Sequence, residues 1–488
     1  MELRHSIVRL LLKSASGFGL LPALGRLVLG PRLTAMAGLT FKAAFRFRLV
    51  PTLAVMLLGI VVGLPLIIKD DGTARGLTQL LLTYTLGVIT ALLGIATLWL
   101  ACGSLARDIE ECQLQLVAAK PISRWQIWVG KLLGIMLVNA LLLGLSGVAV
   151  YRLILWRAQK LEASQQTVLM NEVLVARGSA KEPVRDYGAD TEKILQEERR
   201  KSPNGTVDQE TMTKRIHEQL KAGDQVVEPN YRRRWEIPLG AGAKAQLKNK
   251  PVYLRVKFFT PQLSREKTFR ALWQVGPPDS PKAKMYPMKL PPETFNEFPI
   301  TSELIGEDGV LTVEFWNRNE IALFFPLEDG MEVLYREGGF GLNFSRGLLI
   351  VFLWLSLLAV IGLAAASQLS FPVAAFFSLG VLVIGLSSGT LATVVEQKTI
   401  MGVDHETGKP HSSALDSVMV PMMKVMLQTI SLVEKFSPIE SLSNGRTISW
   451  GELGRAVVQI GLLMGGGIGL IGVGLLYRRE LATAQANQ

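Results

Sequence analysis

Long apolar stretches alternate with charged segments along this chain, and six of the stretches contain almost no charged residue. About 20 consecutive apolar residues are enough to cross a bilayer as a helix. A buried helix of a soluble protein would explain one such stretch, but six together predict a polytopic α-helical membrane protein with six transmembrane helices. The six stretches are residues 49–68, 77–102, 132–150, 347–367, 373–395 and 456–476.

A long polar region, residues 156–345, separates the third predicted span from the fourth. Its first part, 156–223, has helical spacing with a strongly charged face, which predicts surface helices. Its second part, 230–340, alternates short apolar-polar runs with Pro, Gly and Asp, which is typical of a β-sandwich. The clearest predicted strands are 252–259, 268–275, 310–316 and 321–325. The region is therefore predicted to be an α+β insertion, and its fold alone assigns no ligand.

Two further segments are predicted to lie at the membrane surface. In residues 28–48, Phe41, Phe45 and Phe47 are interleaved with basic residues, which indicates an interfacial helix or, as the alternative, a plain cytoplasmic tail. The loop 396–454 contains an apolar stretch that is interrupted by prolines, which predicts a half-embedded outer loop and not a seventh span. The membrane part then consists of residues 1–155 and 346–488.

The distribution of charge predicts the orientation. The formal net charge is +11, yet basic and acidic residues nearly balance across 156–345, so the excess belongs to the membrane part. Residues 1–48 are basic with Glu2 as their only acid, and short basic loops mark the cytoplasmic side. We expect both termini and the loop 103–131 in the cytoplasm, with 156–345 and 396–454 outside the inner, cytoplasmic membrane. Basic residues that contact membrane lipids account for the charge, so no nucleic-acid partner is predicted.

The N-terminus shows no pattern of a cleavable signal peptide. Arg9 and Lys13 interrupt the first apolar stretch, so no continuous hydrophobic region forms.

Three motifs suggest sites of chemistry but lack a required feature. Residues 402–409 match a phosphate-binding loop up to its lysine, but Pro410 stands where a Ser or Thr hydroxyl would bind Mg²⁺. The methionines 419, 422, 423 and 426 could bind Cu(I) through their thioethers, but methionine in an interfacial helix is more often flexible apolar filler. His405 and His411 have no accompanying cysteine or paired carboxylates, so no metal site is predicted. Arg152, near the end of the third span, is interpreted as an anchor whose charged end reaches the membrane surface. The alternative is that it lines a transport path. No catalytic residue, metal or cofactor is predicted on this chain, and no enzymatic activity of its own.

The loop between the second and third spans carries the strongest functional signal. It begins with acidic residues, continues through an amphipathic stretch predicted to be helical over 106–119, and reaches Pro121. A basic residue and Gly130-Lys131 then open the next span, with Trp125 and Trp128 predicted at the headgroup level. Such a surface suits docking of a soluble partner, with a generic amphipathic loop as the alternative.

This loop resembles that of permease subunits of ABC transporters in the type-2 exporter class, closest to the multi-copper-enzyme maturation and gliding-motility permeases. The resemblance rests on Asp108, the run Pro121-Ile122-Ser123-Arg124 and Gly130-Lys131, and it extends over the membrane part. One departure is Cys112, where the pattern has glycine. The insertion 156–345 is not part of the family pattern.

The resemblance implies a transport subunit that is coupled to a separate cytoplasmic ABC ATPase, which would hold the ATP and Mg²⁺. It also implies a second permease, either an identical copy or a paralogue, with the pathway at their interface. The residues it assigns to ATPase docking are Asp108, Glu110, Glu111, Leu114, Pro121, Ser123, Arg124, Gly130 and Lys131.

A second function from another class stays open. The chain would be a non-transporting membrane scaffold whose outer domain recruits or mechanically drives an extracytoplasmic protein partner. The large, nearly neutral insertion motivates this alternative.

Overall fold

The computed structural model describes most of the chain between residues 30 and 479. Outside the description are 1–29, 47–48, 68–73, 114–121, 202–208, 261–267, 401–414 and 480–488, most positions between 160 and 172, and 184, 249, 278–280, 282 and 398. The chain divides into two compact units, one of residues 1–174 with 339–488 and one of residues 175–338.

The chain is mostly helical, and the strands cluster between residues 175 and 339. The helices are α1 Pro31–Arg46, α2 Leu49–Ile67, α3 Ala74–Glu110, α4 Arg124–Ala158, α5 Gly188–Lys201, α6 Gln209–Gln225, α7 Ala243–Gln246, α8 Phe340–Ala366, α9 Phe371–Leu386, α10 Ser388–Gln397, α11 Asp416–Glu434, α12 Pro438–Ser443, α13 Trp450–Ala456 and α14 Gly466–Arg478. The strands are β1 Val175–Ala180, β2 Val226–Val227, β3 Arg232–Pro238, β4 Val252–Val256, β5 Phe269–Val275, β6 Lys284–Leu290, β7 Asn296–Ile300, β8 Val310–Asn317, β9 Leu323–Phe324 and β10 Met331–Gly339. A π-helical segment, Val457–Gly465, joins α13 to α14.

Among the described residues, five helices are long and apolar enough to cross a membrane, or up to seven if each of two bent pairs forms one span. The bent pairs are α1 with α2, at 66°, and α9 with α10, at 65°. The five helices are Thr78–Glu110, Arg124–Ala158, Phe340–Ala366, Asp416–Ser443 and Trp450–Arg478. Helices of this length and apolarity indicate a membrane protein. The number of six spans, and the side of the membrane that each loop faces, remain predictions.

The helix Asp416–Ser443 meets the length and apolarity criteria for a span, although the sequence predicts that its region is only half-embedded. None of its most apolar window is buried within the protein. Pro421 lies inside α11 without ending it, because the helix continues to Glu434. Pro421 is the sixth residue of α11, so its missing N–H removes one hydrogen bond near the start of the helix and weakens it there without ending it.

The helices α3 and α4 are longer than their predicted spans. They contain 37 and 35 residues, which is about 50 Å at 1.5 Å per residue. A hydrocarbon core is about 30 Å thick. Both helices therefore extend well beyond the apolar stretches 77–102 and 132–150, and they take up parts of the predicted loop 103–131.

The helices of the first unit approach one another closely at small residues. A Cβ on Gly362 of α8 would lie 2.8 Å from the Cβ of Ala101 on α3. Close to this contact, the buried Thr97 hydroxyl of α3 donates to Asn139 Oδ1 of α4 at 3.0 Å. Because lipid tails are as apolar as leucine, such packing and interhelical hydrogen bonds hold membrane helices together.

The second unit contains two four-stranded sheets and a short two-stranded ladder. The strand orders are β1-β10-β4-β7 and β3-β8-β5-β6, and β2 pairs with β9. Alternate residues of both large sheets form one buried cluster around Trp273, which is fully buried. Trp273 of β5 contacts Phe315 of β8 at 4.6 Å between ring centroids and Phe298 of β7 at 6.4 Å. The two sheets thus share one aromatic core, as the layers of a β-sandwich do.

The first sheet also buries a row of charges on its other face. Arg255 on β4 lies opposite Glu332 on β10 and Glu297 on β7 in the strand register. Its guanidinium nitrogens lie 2.9 Å from Glu332 and 2.7 Å from Glu297, and all three side chains are at most 5% exposed. Arg177 of β1 joins the row through Glu297 at 2.9 Å.

The structure differs from the predicted division of the insertion. The contact boundaries fall after residues 174 and 338, whereas the sequence predicts an insertion at 156–345. The part 156–223, predicted to be helical, contains strand β1, which is a neighbour of β10 in the first sheet. The prediction was wrong here because β1, with its small residues Ala176, Gly178 and Ser179, has no alternation that marks a strand by itself.

Candidate functional site

The candidate site lies where α3 ends and α4 begins. Helix α3 ends at Glu110, and Cys112 has a φ of +58°. A left-handed residue just after a helix lets its backbone N–H close the last turn, and here the Cys112 N–H donates to the Ile109 carbonyl. Glycine adopts this conformation without cost, whereas residues with a Cβ rarely do. The predicted unbroken helix over 106–119 is therefore wrong, since its backbone turns at 111–112.

Asp108 and Lys131 form an ion pair between the two helices. The Lys131 ammonium donates to Asp108 Oδ2 and to the Ser104 carbonyl, each at 2.5 Å. The Lys131 side chain is 5% exposed and that of Asp108 is 32% exposed. Both residues were assigned to docking, and in the structure their charged groups join α3 to α4 instead of facing solvent together.

Arg124 connects the start of α4 to the end of α14. Its Nη1 donates to the carbonyl oxygens of Leu476, Tyr477 and Arg479 at 2.9, 2.8 and 3.0 Å. The last carbonyls of a helix have no intrahelical partner and carry partial negative charge, so a guanidinium stabilises them. Arg124 is thus a cap of the last helix, a role that its position in the loop did not predict.

Glu110 connects the end of α3 to the start of α9. Its Oε1 accepts a hydrogen bond from the Phe371 backbone N–H at 2.8 Å. A carboxylate at a helix N-terminus satisfies a free donor and interacts favourably with the helix dipole. One turn earlier, the Arg107 guanidinium lies 4.3 Å from the centre of the Phe371 ring. The end of α3 therefore holds α9 by a hydrogen bond and a cation–π contact.

Gly130 lies at the crossing of α4 with α1. A Cβ on Gly130 would lie 2.5 Å from the Cβ of Met36, and one on Gly134 would lie 2.7 Å from the Ala37 carbonyl oxygen. Two glycines four residues apart on one helix face let two backbones approach closely. Gly130 thus acts in packing, and Gly134, which the sequence analysis overlooked, completes the same contact.

The two tryptophans of the α4 start have different surroundings. Trp125 is 43% exposed, whereas Trp128 is 2% exposed. A Cβ on Gly472 of α14 would lie 3.2 Å from the Trp128 ring. The ring of Trp128 is buried against the glycine face of α14 and is not exposed at the protein surface.

Of the remaining predicted docking residues, Glu111 and Ser123 are within the described part of the chain, where Glu111 is exposed and Ser123 is half-buried. The Glu111 Oε2 accepts a hydrogen bond from Gln113 at 2.6 Å. Ser123 precedes α4, and its backbone N–H donates to Gln126 Oε1 at 3.1 Å. Leu114 and Pro121 lie outside the described residues. The structure therefore brings six of the predicted residues to one end of the helices: Asp108, Glu110, Ser123, Arg124, Gly130 and Lys131.

No group of three or more metal-ligating side chains occurs in the part of the chain that the structure describes. The phosphate-loop-like residues 402–409 and both nearby histidines are outside that part. Met419, Met422, Met423 and Met426 lie on α11. In comparisons with protein-family models, curated proteins and solved structures, no match to this chain was found.

Proposed function

We propose that this protein is the membrane permease subunit of an ATP-binding-cassette exporter. The observation that carries the proposal is the convergence of helix ends beside the turn that follows α3 at 111–113. Side chains next to that turn contact α1, α9 and α14 as well as α3 and α4. A soluble ATPase that binds the turn would act on five helices at once.

The mechanism follows from how the helix ends are connected. A push on the turn moves the end of α3, which is joined to α4 by the Asp108–Lys131 pair and to α9 by Glu110. The start of α4 carries α14 through Arg124 and α1 through Gly130. Because packed helices move as rigid bodies, a small displacement at the turn becomes a tilt of the group. ATP binding and hydrolysis on the partner would supply the free energy.

The proposal includes the orientation and the partners. The turn at 111–113 faces the cytoplasm with both termini, and residues 175–338 face outward from the inner membrane. A second permease, identical or paralogous, completes the transport path. The exposed apolar side chains of α9 and α14, such as Phe376 at 80% and Leu470 at 77%, suit contact with lipid or with that second permease.

The test is purification of the tagged protein in mild detergent, followed by identification of the chains that accompany it. The variant Glu111→Lys reverses an exposed charge on the turn, whereas Glu337→Lys makes the same change at an exposed position of β10. We expect an ABC ATPase with the wild type and with Glu337→Lys, and at least tenfold less of it with Glu111→Lys. If crosslinked wild type retains no ATPase, the proposal fails.

The scaffold function remains the second candidate, and the polar cleft of the second unit favours it. The two functions differ in what stimulates the ATPase of the purified complex. Stimulation by a small molecule or lipid supports transport. Stimulation that requires an extracytoplasmic protein supports the scaffold.

A further inference from the structure

A polar cleft of about 370 Å³ opens in the second unit beside strand β3. Its lining includes the consecutive arginines 232–234 and the exposed ring of Tyr231, which is 68% exposed. Across the cleft lie Glu182, Arg185 and Tyr187. None of these residues belongs to the site described for the first unit.

Arg233 is a cation without enough acceptors. Its side chain is 15% exposed, and its closest carboxylate oxygen, on Glu182, is 3.7 Å away, which is too far for a hydrogen bond. Its Nη1 is buried and has no hydrogen-bond partner among the described residues. Burial lowers the pKa of Arg233 and raises the pKa of Glu182, in both cases against the attraction between the two groups. A buried donor of this kind costs free energy until an acceptor binds it.

Four other charged side chains of the cleft, Arg185, Asp224, Arg232 and Arg234, already have partners. Asp224 accepts hydrogen bonds from the Tyr187 hydroxyl at 2.9 Å and from Arg185 at 3.3 Å. Arg234 lies 2.6 Å from Glu314, and the Arg232 guanidinium stacks 4.3 Å above the Trp316 ring. Burial, followed by the bond to Asp224, raises the pKa of Tyr187. The Arg233 guanidinium also lies 4.6 Å from the centre of the Trp235 ring, but a ring face is no substitute for an oxygen acceptor. The Arg233 Nη1 is therefore the donor that a ligand could still satisfy.

Strand β3 forms one edge of its sheet, because the strand order begins with β3. Tyr231 and Leu239 direct their backbone groups to the β8 side, through bonds to Asn317 and Gly309. Successive residues of a strand point their backbone groups to opposite sides. The N–H and C=O groups of residues 232, 234 and 236 therefore point away from the sheet.

Among the described residues, two features show that the outward backbone groups of β3 face no neighbouring strand at residues 236 and 238. The Glu236 N–H is bound by the Glu182 carboxylate. Pro238, at the next outward position, has no N–H to donate, which is tolerated at a sheet edge. The outward groups of Arg232 and Arg234 lie in the cleft lining, where an extended segment would find them at strand spacing.

We propose that this cleft binds an extended, acidic peptide segment of another protein, which adds to the edge of β3 with a carboxylate on Arg233. Backbone hydrogen bonds to Arg232 and Arg234 supply affinity, and the carboxylate selects the sequence. The proposal does not depend on the transport function.

The probe is a fluorescein-labelled peptide of alternating Val and Glu, six residues long, titrated by anisotropy into the full-length protein in detergent. The variant Arg233→Gln is expected to weaken binding by about tenfold or more, because a charge-assisted hydrogen bond is lost. Arg270→Gln makes the same charge change at an exposed position of β5 in the same sheet and should leave binding unchanged.

A second pair of variants tests the strand edge alone. Arg234→Gln and Arg234→Pro both lose the contact with Glu314, but only the proline removes the outward N–H. We expect about fivefold weaker binding for the proline than for the glutamine, and a similar loss for a peptide N-methylated on alternate residues. Tryptophan fluorescence spectra that match the wild type show that each variant is folded.

Three results overturn the proposal. The first is absence of binding by the wild type, and the second is binding that Arg233→Gln does not change. The third is binding of the N-methylated peptide, or of an acidic oligosaccharide, as tight as that of the unmodified peptide. That result would indicate a site for anions to which no strand is added.

Discussion

At the scale of single residues, the candidate site is defined by the partners that its polar side chains bind. Lys131 and Arg124 are both basic residues near the start of α4, yet one is buried beside Asp108 and the other binds the end of α14. The sequence identifies both as charged groups near a span boundary. Their partners come from residues 23 and more than 300 positions away, so only the folded chain reveals them.

Replacement of Lys131 with methionine tests the internal ion pair. Asp108 would lose its cationic partner while remaining partly buried, so we expect the free energy of unfolding to fall by about 2 kcal/mol. This is below the roughly 3–5 kcal/mol typical of a fully buried pair, because Asp108 is 32% exposed. Thermal unfolding in detergent measures the change.

The control for this prediction is Lys424→Met, which removes an exposed lysine from α11 and should have little effect. Adding Asp108→Asn to Lys131→Met should recover part of the loss, because the unpaired charge is gone. Equal stability of Lys131→Met and Lys424→Met would contradict the assignment.

At the scale of helices and strands, small residues decide which elements approach closely. Gly130 and Gly134 admit α1, and Gly472 receives Trp128. Apolar length predicts that a helix exists, but both faces of a membrane helix are apolar, so length does not say which face meets another helix. The spacing of the two glycines on α4 can be read from the sequence, but the sequence does not show that α1 is the helix packed against them.

Replacement of Gly134 with leucine tests the α1–α4 crossing. Its side chain would collide with the Ala37 carbonyl oxygen and with Thr40, whose Cβ lies 2.6 Å from the added Cβ. Backbone cannot yield as a flexible side chain does, so we expect a loss of about 2 kcal/mol. Hydrogen exchange over Pro31–Arg46 should become faster as α1 loosens.

The matched control is Gly144→Leu on the same helix, where an added Cβ has no neighbour within 4 Å. Both substitutions gain the same helix propensity, so their difference isolates the collision. Unchanged exchange in α1 of Gly134→Leu would refute the close crossing.

At the scale of the whole molecule, two units obey different physical rules. The helical unit packs through small residues and a few interhelical polar contacts. The second unit packs around an aromatic core that is removed from water, where burial of apolar area drives folding. The alternation of apolar and polar residues along β5 and β8 predicted that core, and their buried positions do follow a period of two.

Replacement of Trp273 with alanine tests the core that the two sheets share. Trp273 is fully buried between both sheets, so we expect the free energy of unfolding of residues 175–338 to fall by about 3–5 kcal/mol. Proteolysis of this unit in the full-length protein should become correspondingly faster. Met285→Ala on β6, at a position 62% exposed, serves as the control and should leave the rate close to that of the wild type.

The sequence by itself determined the apolar helices and the separate sheet-rich region. These follow from local pattern, since hydrophobic length and alternation depend only on neighbours along the chain. Tertiary structure alone decided that Lys131 is buried, that Arg124 caps the last helix, that β1 is a strand, and that Arg255 lies in a buried row of charges. Each of these depends on groups distant in sequence, and the cost of burying a charge or an unpaired backbone group is settled only when the fold brings its partner within hydrogen-bonding distance.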